Sequence, residues 1–260
     1  MDGKKILFDG CSFTADSGFW SKNQYVSHWP HLLSKHYQAD FDNNAIGGSS
    51  NEEIFNRVVC AASSKSYNLI FVQWSEISRR WIHCSDQNID DFTIINAGNP
   101  KGYQYNSNKV QQYAELHYAY FDNQYVNLKK WLCYVLSLAG YLNSKNQPYV
   151  FIKGFENYVS KCSKIEYVAG TGFKNLESST KKFLDFDNRP DDYLLRKIKE
   201  IQLLLDSARQ LNWLNFDSPS FFEASTDVSD DNVHPGVNSN LQLTKQLIAY
   251  CDNNNLLTHD

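Results

Sequence analysis

Five short, continuously apolar or β-prone runs, at residues 5–8, 40–46, 68–72, 148–152 and a weaker one at 213–216, most constrain how this chain can fold. Between them the apolar residues change to helical spacing. Ile54, Phe55, Val58, Val59 and Ala62 share one helical face, as do Leu128, Leu132, Val135 and Ala139. Leu194, Leu195, Ile198, Ile201, Leu205 and Ala208 form a third such stripe. A last helix is predicted to begin near Val237 and to bury Leu241, Leu247, Ile248 and Cys251. Ser50 and Glu53 have capping-box spacing, so a helix is expected to start just after Gly47, Gly48 and Ser49. Strands that are apolar throughout, alternating with amphipathic helices, imply a parallel sheet covered on both faces.

The 260 residues suit one large domain or two small ones, and no Pro-, Gly- or Ser-rich linker divides them. A single domain spanning residues 1–260 is therefore expected, with insertions at about 84–124, rich in Tyr, Asn and Gln, and at 155–190, which is polar. With 42% hydrophobic and 21% charged residues a buried core is expected. The net charge of −4 gives no electrostatic footprint for nucleic acid or an anionic membrane. No apolar stretch approaches the roughly 20 residues of a membrane span. Residues 6–8 are too short an apolar run for a signal peptide, so a cytoplasmic protein is expected. Six cysteines lack CxxC spacing and mostly have apolar neighbours, as Cys60 and Cys133 do, which reads as reduced core thiols.

In a parallel α/β sheet the site lies beyond the carboxyl ends of the strands. Three features fall there in order. Ser12 follows the first strand in the stretch Gly10, Cys11, Ser12. A serine hydroxyl needs a base within reach and donors for the oxyanion it creates, and a tight turn supplies exposure and backbone N–H groups. Taken alone, Ser12 is equally an N-cap. Gly47 and Gly48 follow the second strand, offering a close backbone approach or simply a turn. Asp231 and His234 are three apart just before the last helix, so the carboxylate can orient the imidazole, and Pro235 stiffens the loop. On its own that pair is also a plain surface turn. The conjunction, and the order, favour chemistry.

With these residues in hand, the chain resembles the SGNH/GDSL hydrolase family. Gly10, Cys11 and Ser12 look like its first block, usually Gly-Asp-Ser. Residues 43–49 look like its second, and Asp231 to His234 like its last. The resemblance implies a three-layer α/β/α sandwich of flavodoxin-like type with a central, mostly parallel five-stranded sheet. It also implies a serine esterase acting through an acyl-enzyme. Ser12 is then the nucleophile, His234 the base and Asp231 its orienting carboxylate, with the N–H groups of Ser12 and Gly48 in the oxyanion hole. The third block departs from the pattern, because Ser75 stands where the family has its oxyanion Asn. Losing one such donor typically costs about 10²–10³ in turnover.

Cys11, beside Ser12, is an alternative nucleophile. Trp74 and Arg79, at the end of the third strand, are candidate substrate contacts. Arg79 or Arg80 can clamp a carboxylate or phosphate, or equally pair with Glu76 or Asp86. Tyr103, Tyr105, Tyr113, Tyr118 and Tyr120 suit either a sugar-stacking rim or a core. His28, His31, His36, His83 and His117 show no metal-ligand spacing and receive no role, and no cofactor is implied. The expected reaction is hydrolysis of a carboxylic ester of a small molecule or carbohydrate, with O-acetylated carbohydrate first among substrates. The competing readings are an inactive SGNH-fold binding or structural module, for example in a phage particle or other large assembly, and an O-acyltransferase.

Overall fold

The computed structural model describes residues 3–15, 28–83, 92–95, 108–122, 124–155, 166–168, 172–174, 191–214, 220–229 and 234–257. In chain order the elements are β1 (Lys5–Asp9), α1 (Trp29–Tyr37), β2 (Asp40–Asn43), α2 (Asn51–Ser64), β3 (Leu69–Trp74), β4 (Arg80–His83), β5 (Phe92–Ile95), α3 (Asn108–Leu116), a π-helical turn (His117–Phe121) and α4 (Gln124–Ser144). There follow β6 (Tyr149–Lys153), β7 (Glu166–Val168), β8 (Gly172–Lys174), α5 (Asp191–Arg209), α6 (Phe221–Ala224) and α7 (Val237–Asn253). They divide into two compact units, one of Met1–Glu76, Ser137–Glu156 and Leu211–Asp260, the other of Ile77–Leu136 and Asn157–Gln210.

The first unit is built on a sheet of order β2-β1-β3-β6, parallel throughout. Ile6, Phe8, Leu69, Phe71, Val150 and Ile152 form one hydrophobic cluster with Trp29 and Leu33 of α1 and Leu243 and Leu247 of α7. Phe8 stacks on Phe71 at 5.4 Å and meets Trp29 edge-on at 5.1 Å. By strand alternation the intervening residues, Leu7, Asp9, Ile70 and Val72, take the opposite face, where α2 packs on β1 and β3. The result is an α/β/α arrangement. Each fully buried large apolar side chain contributes about 1.5–3 kcal/mol, so the two covered faces account for the continuously apolar strands. Where five strands are expected, four form among the described residues. The fifth place holds a single bridge in which Phe151 N donates to Asn212 O at 2.8 Å and Leu214 N to Phe151 O at 2.9 Å. Residues 215 and 216 lie outside the described residues.

Helix starts follow their local signals. The box at the head of α2 is complete, with Glu53 N donating to Ser50 Oγ and Ser50 N to Glu53 Oε2. The last helix begins at Val237, but Leu241 is 38% exposed and Leu243 takes the buried place. The inward stripe runs Asn240, Leu243, Thr244, Leu247, Cys251, and Leu241 lies one residue off it. The thiol expectation also divides. Cys11 and Cys251 are buried, whereas Cys60 and Cys133 are exposed, and all four are free. Apolar neighbours in sequence mislead on a helix, where each step turns about 100°. Cys84 and Cys162 lie outside the described residues. Helix α1, which no apolar stripe announced, carries Pro30 in its first turn.

The second unit holds the antiparallel pairs β4–β5 and β7–β8, α3, the first part of α4 and α5. The segments expected as insertions thus carry β5, α3, the π-helical turn, β7 and β8, the rest of them lying outside the described residues. Glu200 of α5 accepts from Tyr125 Oη at 2.8 Å and pairs with Lys129 and Lys197. Of the tyrosines considered for a rim, Tyr113 and Tyr120 are exposed, and Tyr118 Oη donates to Ser78 O at 2.9 Å. Tyr103 and Tyr105 lie outside the described residues. Among the described residues no helix is long and apolar enough to cross a membrane.

Candidate active site at the carboxyl edge of the sheet

Because β1, β2 and β3 are parallel, the segments after Asp9, Asn43 and Trp74 leave the same edge of the sheet. The turn after β1 closes with Thr14 N and Ala15 N both donating to Cys11 O, at 2.9 and 3.0 Å. Gly10 is required there for space, since a Cβ would lie 2.7 Å from Thr14 Oγ1 and 3.0 Å from Gln73 Cβ. Cys11 turns into the hydrophobic cluster and is fully buried, which removes it as a nucleophile in this conformation. Ser12 is 7% exposed.

This turn is tied down on several sides. Thr14 Oγ1 donates to Gln73 Oε1 at 2.7 Å, and Asn43 Nδ2 donates to Thr14 O at 2.8 Å. Phe13 O accepts from Trp29 Nε1 at 2.9 Å and from His28 Nε2 at 3.0 Å. A carbonyl only accepts, so His28 carries its proton on Nε2. The second-strand loop is anchored to the same turn, with Asn44 N donating to Phe8 O at 2.9 Å and Ile46 N to Gly10 O at 3.3 Å. Within it Gly48 has φ 81°, a left-handed conformation that glycine adopts without strain. After β3, Ser75 is fully buried and its N–H donates to Asn51 Oδ1 at 2.7 Å.

His234 is 7% exposed, and its ring meets that of Phe13, the residue after Ser12, edge-on with centroids 5.6 Å apart. Its loop is held from both ends. Ser229 N donates to His234 O at 2.8 Å, and Asn240 Nδ2 donates to Pro235 O and Gly236 O. Asn240 Oδ1 also accepts from Trp29 N at 3.2 Å, so one amide side chain ties the His234 loop to α1. Asp227 accepts from Asn238 N and Ser239 N, each at 2.8 Å, at the head of α7. Burial pushes its carboxyl up, but the bonds from Ser239 and Asn238 outweigh this and hold it below the usual range. Gly236 is needed here, because a Cβ would lie 2.6 Å from the Asp227 carboxyl group.

The structure therefore brings Ser12, the Gly48 loop, Ser75 and the ring of His234 into one unit at one sheet edge. Asp231 lies outside the described residues. Trp74 is a correction to its assignment as a substrate contact. It is fully buried with its ring against Phe151 at 5.5 Å, because the sixth residue of β3 still lies inside the sheet core and leaves no surface for a ligand. Arg79 belongs to the second unit and is also buried. Arg80 donates to Asn127, and Asp86 lies outside the described residues. The reading of single residues missed Asp9, Arg57, Asn51, Gln73, His28 and Asn240, which hold these loops through backbone or side-chain bonds. Only Asn51, the first residue after a capping serine, carried a local signal.

No protein-family model matches the sequence, nor does any curated protein sequence. Solved structures do show likenesses. The psychrotrophic esterase EstA from Pseudoalteromonas sp. is 12% identical, with 96% of this chain and 97% of that chain covered and a TM-score of 0.47. A mutant of Axe2, an acetyl-xylooligosaccharide esterase from Geobacillus, is 11% identical, covering 95% and 94%, with a TM-score of 0.47. A member of the lipolytic G-D-S-L family from Veillonella parvula is 11% identical, covering 95% and 97%, with a TM-score of 0.45. At these TM-scores the neighbours carry no weight for activity or substrate.

Proposed function

We propose that the chain is a serine esterase of the SGNH/GDSL type that hydrolyses a carboxylic ester through an acyl-enzyme. The observation that supports this reading is the edge-on contact of the His234 ring with Phe13, the residue after Ser12, across a separation of more than 200 residues in sequence. Ser12 Oγ attacks the ester carbonyl carbon while His234 takes its proton. The N–H groups of Ser12 and Gly48 receive the oxyanion, and the hydroxyl of the fully buried Ser75 is a third donor to be tested. The tetrahedral intermediate expels the alcohol, which leaves with the proton from His234. Water then attacks the acyl-enzyme, giving its proton to His234, and Ser12 is regenerated as the carboxylic acid departs. Asp231 orients His234 and stabilises its charged form. Arg79 is retained as a substrate contact to be tested. O-acetylated carbohydrate is the first substrate class to try, because the inserted segments are aromatic and polar.

The test is labelling by a fluorophosphonate probe, which reports an activated serine whatever the substrate. Wild type should label at Ser12, and Ser12→Ala and His234→Ala should not. A folded wild type that resists the probe, and turns over no short-chain p-nitrophenyl ester above the Ser12→Ala control, would replace this reading with that of an inactive binding module. Label without hydrolysis, with acyl transfer to an added sugar, would make the chain an acyltransferase.

A further inference from the structure

We infer that Asp9 and Arg57 form a buried charged clamp that fixes the spacing between the Ser12 turn and the Gly48 loop, so that the two backbone donors of the oxyanion hole stay in register; the inference rests on the esterase reading above.

The contacts are specific. Asp9 ends β1, three residues before Ser12, and is fully buried on the face where α2 packs. Arg57 comes from the second turn of α2. Its Nε lies 3.2 Å from both carboxylate oxygens of Asp9, and its Nη2 donates to Asp9 Oδ1 at 2.6 Å. The same Nη2 reaches Gly10 O at 3.1 Å, inside the nucleophile turn. Nη1 donates to Ser49 Oγ at 3.0 Å, and that hydroxyl donates onward to Ile46 O at 2.8 Å. One planar guanidinium thus bonds the carboxylate, the strand-one turn and the residue after Gly48. A lysine could not supply this fork of donors.

The energetics favour a positioning role over a stabilising one. Burial pushes the Asp9 carboxyl up to about 6 despite the opposing charge and hydrogen bonds of Arg57, and Glu53, also on α2, adds a smaller push in the same direction. With the folded value raised, the contribution of Asp9 to stability is fully present below the ordinary carboxylate range. It is lost as pH rises through about 6. The ionised pair therefore stands at neutral pH at a cost in stability. Replacing such buried pairs by apolar residues is often neutral or stabilising, so stability gives no reason to keep it, whereas fixing two loops does.

The experiment compares wild type, Asp9→Asn, Arg57→Gln and Ser49→Ala by thermal melting, fluorophosphonate labelling rate, and kcat and KM on p-nitrophenyl acetate between pH 5 and 8. Asp9→Asn mimics the protonated carboxyl. It should remain folded yet label and turn over about tenfold to a hundredfold more slowly, with KM little changed, because donor misplacement on the ångström scale acts on the transition state. In wild type, protonation of Asp9 weakens activity as pH falls through about 6, so the acid limb should be steeper than that of Asp9→Asn. Folded Asp9→Asn and Arg57→Gln proteins with wild-type kcat and an unchanged acid limb would overturn the clamp. If both variants unfold, Ser49→Ala decides, since it cuts the link from Arg57 to the glycine loop, together with the bond to Ile46 O, and leaves Asp9 and Arg57 paired. A wild-type kcat in that variant also overturns the clamp, and a reduced one supports it. A wild type that never labels removes the esterase reading and the clamp with it, whereas a labelled wild type with indifferent variants removes the clamp alone.

Discussion

The Ser75 backbone N–H donates to Asn51 Oδ1 at 2.7 Å, and Asn51 Nδ2 returns to Ser75 O at 3.1 Å and to Glu76 O at 3.3 Å. A side chain at the head of α2 therefore shapes the exit of β3. Asn51→Ala would leave the buried Ser75 N–H without its acceptor, at a cost of about 1–3 kcal/mol. Urea denaturation at neutral pH measures it. A loss below about 0.5 kcal/mol would mean that the loop is held by other contacts.

The role of Ser75 itself is separable. If its hydroxyl completes the oxyanion hole, Ser75→Ala should lower kcat by about 10²–10³ with little change in KM, because that bond strengthens as charge develops. Ser75→Asn restores the amide seen in the resembling family and should retain or raise kcat if the fully buried site admits the longer side chain. An active wild type whose Ser75→Ala variant is unaffected would keep the esterase and remove Ser75 from its site.

Gly48 combines a backbone requirement with a proposed chemical one. At φ 81° an L side chain is strained, so Gly48→Ala should lose about 1 kcal/mol of stability. As an oxyanion donor it should lose far more in kcat than that loss of folded protein explains. Stopped-flow p-nitrophenyl acetate hydrolysis, normalised to the folded fraction, tests this. Turnover equal to wild type per folded molecule would show that the Gly48 N–H does not meet the oxyanion.

The fold was legible where physics is local or periodic. Continuous apolar runs marked β1, β3 and β6, and the Ser50–Glu53 spacing marked the start of α2. The order of Ser12, Gly48 and His234 along a parallel sheet placed them at one edge. Contacts whose partners lie far apart in sequence were not legible. Arg57 looks like an ordinary solvent-facing helix charge until the packing of α2 on β1 sets it against Asp9, 48 residues away. His28 and Asn240 likewise gain roles only from tertiary packing. Trp74 was misread because aromatic residues near a strand end serve a core or a pocket equally well, and the depth of the sheet decided for the core. Among the described residues the fifth strand is a single bridge at Trp213, and residues 215 and 216 of that run lie outside them.

The loop carrying His234 depends on the cap of α7, and this gives a pH-dependent prediction. The Asp227 carboxylate accepts from Asn238 N, Ser239 N and the Ser239 hydroxyl, and two of the acceptor distances are 2.8 Å. These bonds favour its ionised form and hold its acidity below the ordinary carboxylate range. For a depressed group, the stability contribution is present above the unfolded value and is lost as pH falls through the folded one. Asp227→Asn keeps the shape but removes the negative charge that complements the positive end of the helix dipole. It should therefore cost about 1 kcal/mol at pH 7, in the range of other N-terminal caps. As pH drops below the ordinary carboxylate range, wild type protonates Asp227 and approaches the variant, so the gap between the two should close. Denaturation midpoints of both proteins at pH 7 and at about pH 3, converted to free energies, measure this gap. A gap that stayed constant across that interval would show that the bonds to Asn238 and Ser239 act without the charge, and that the acid sensitivity of the His234 loop lies elsewhere.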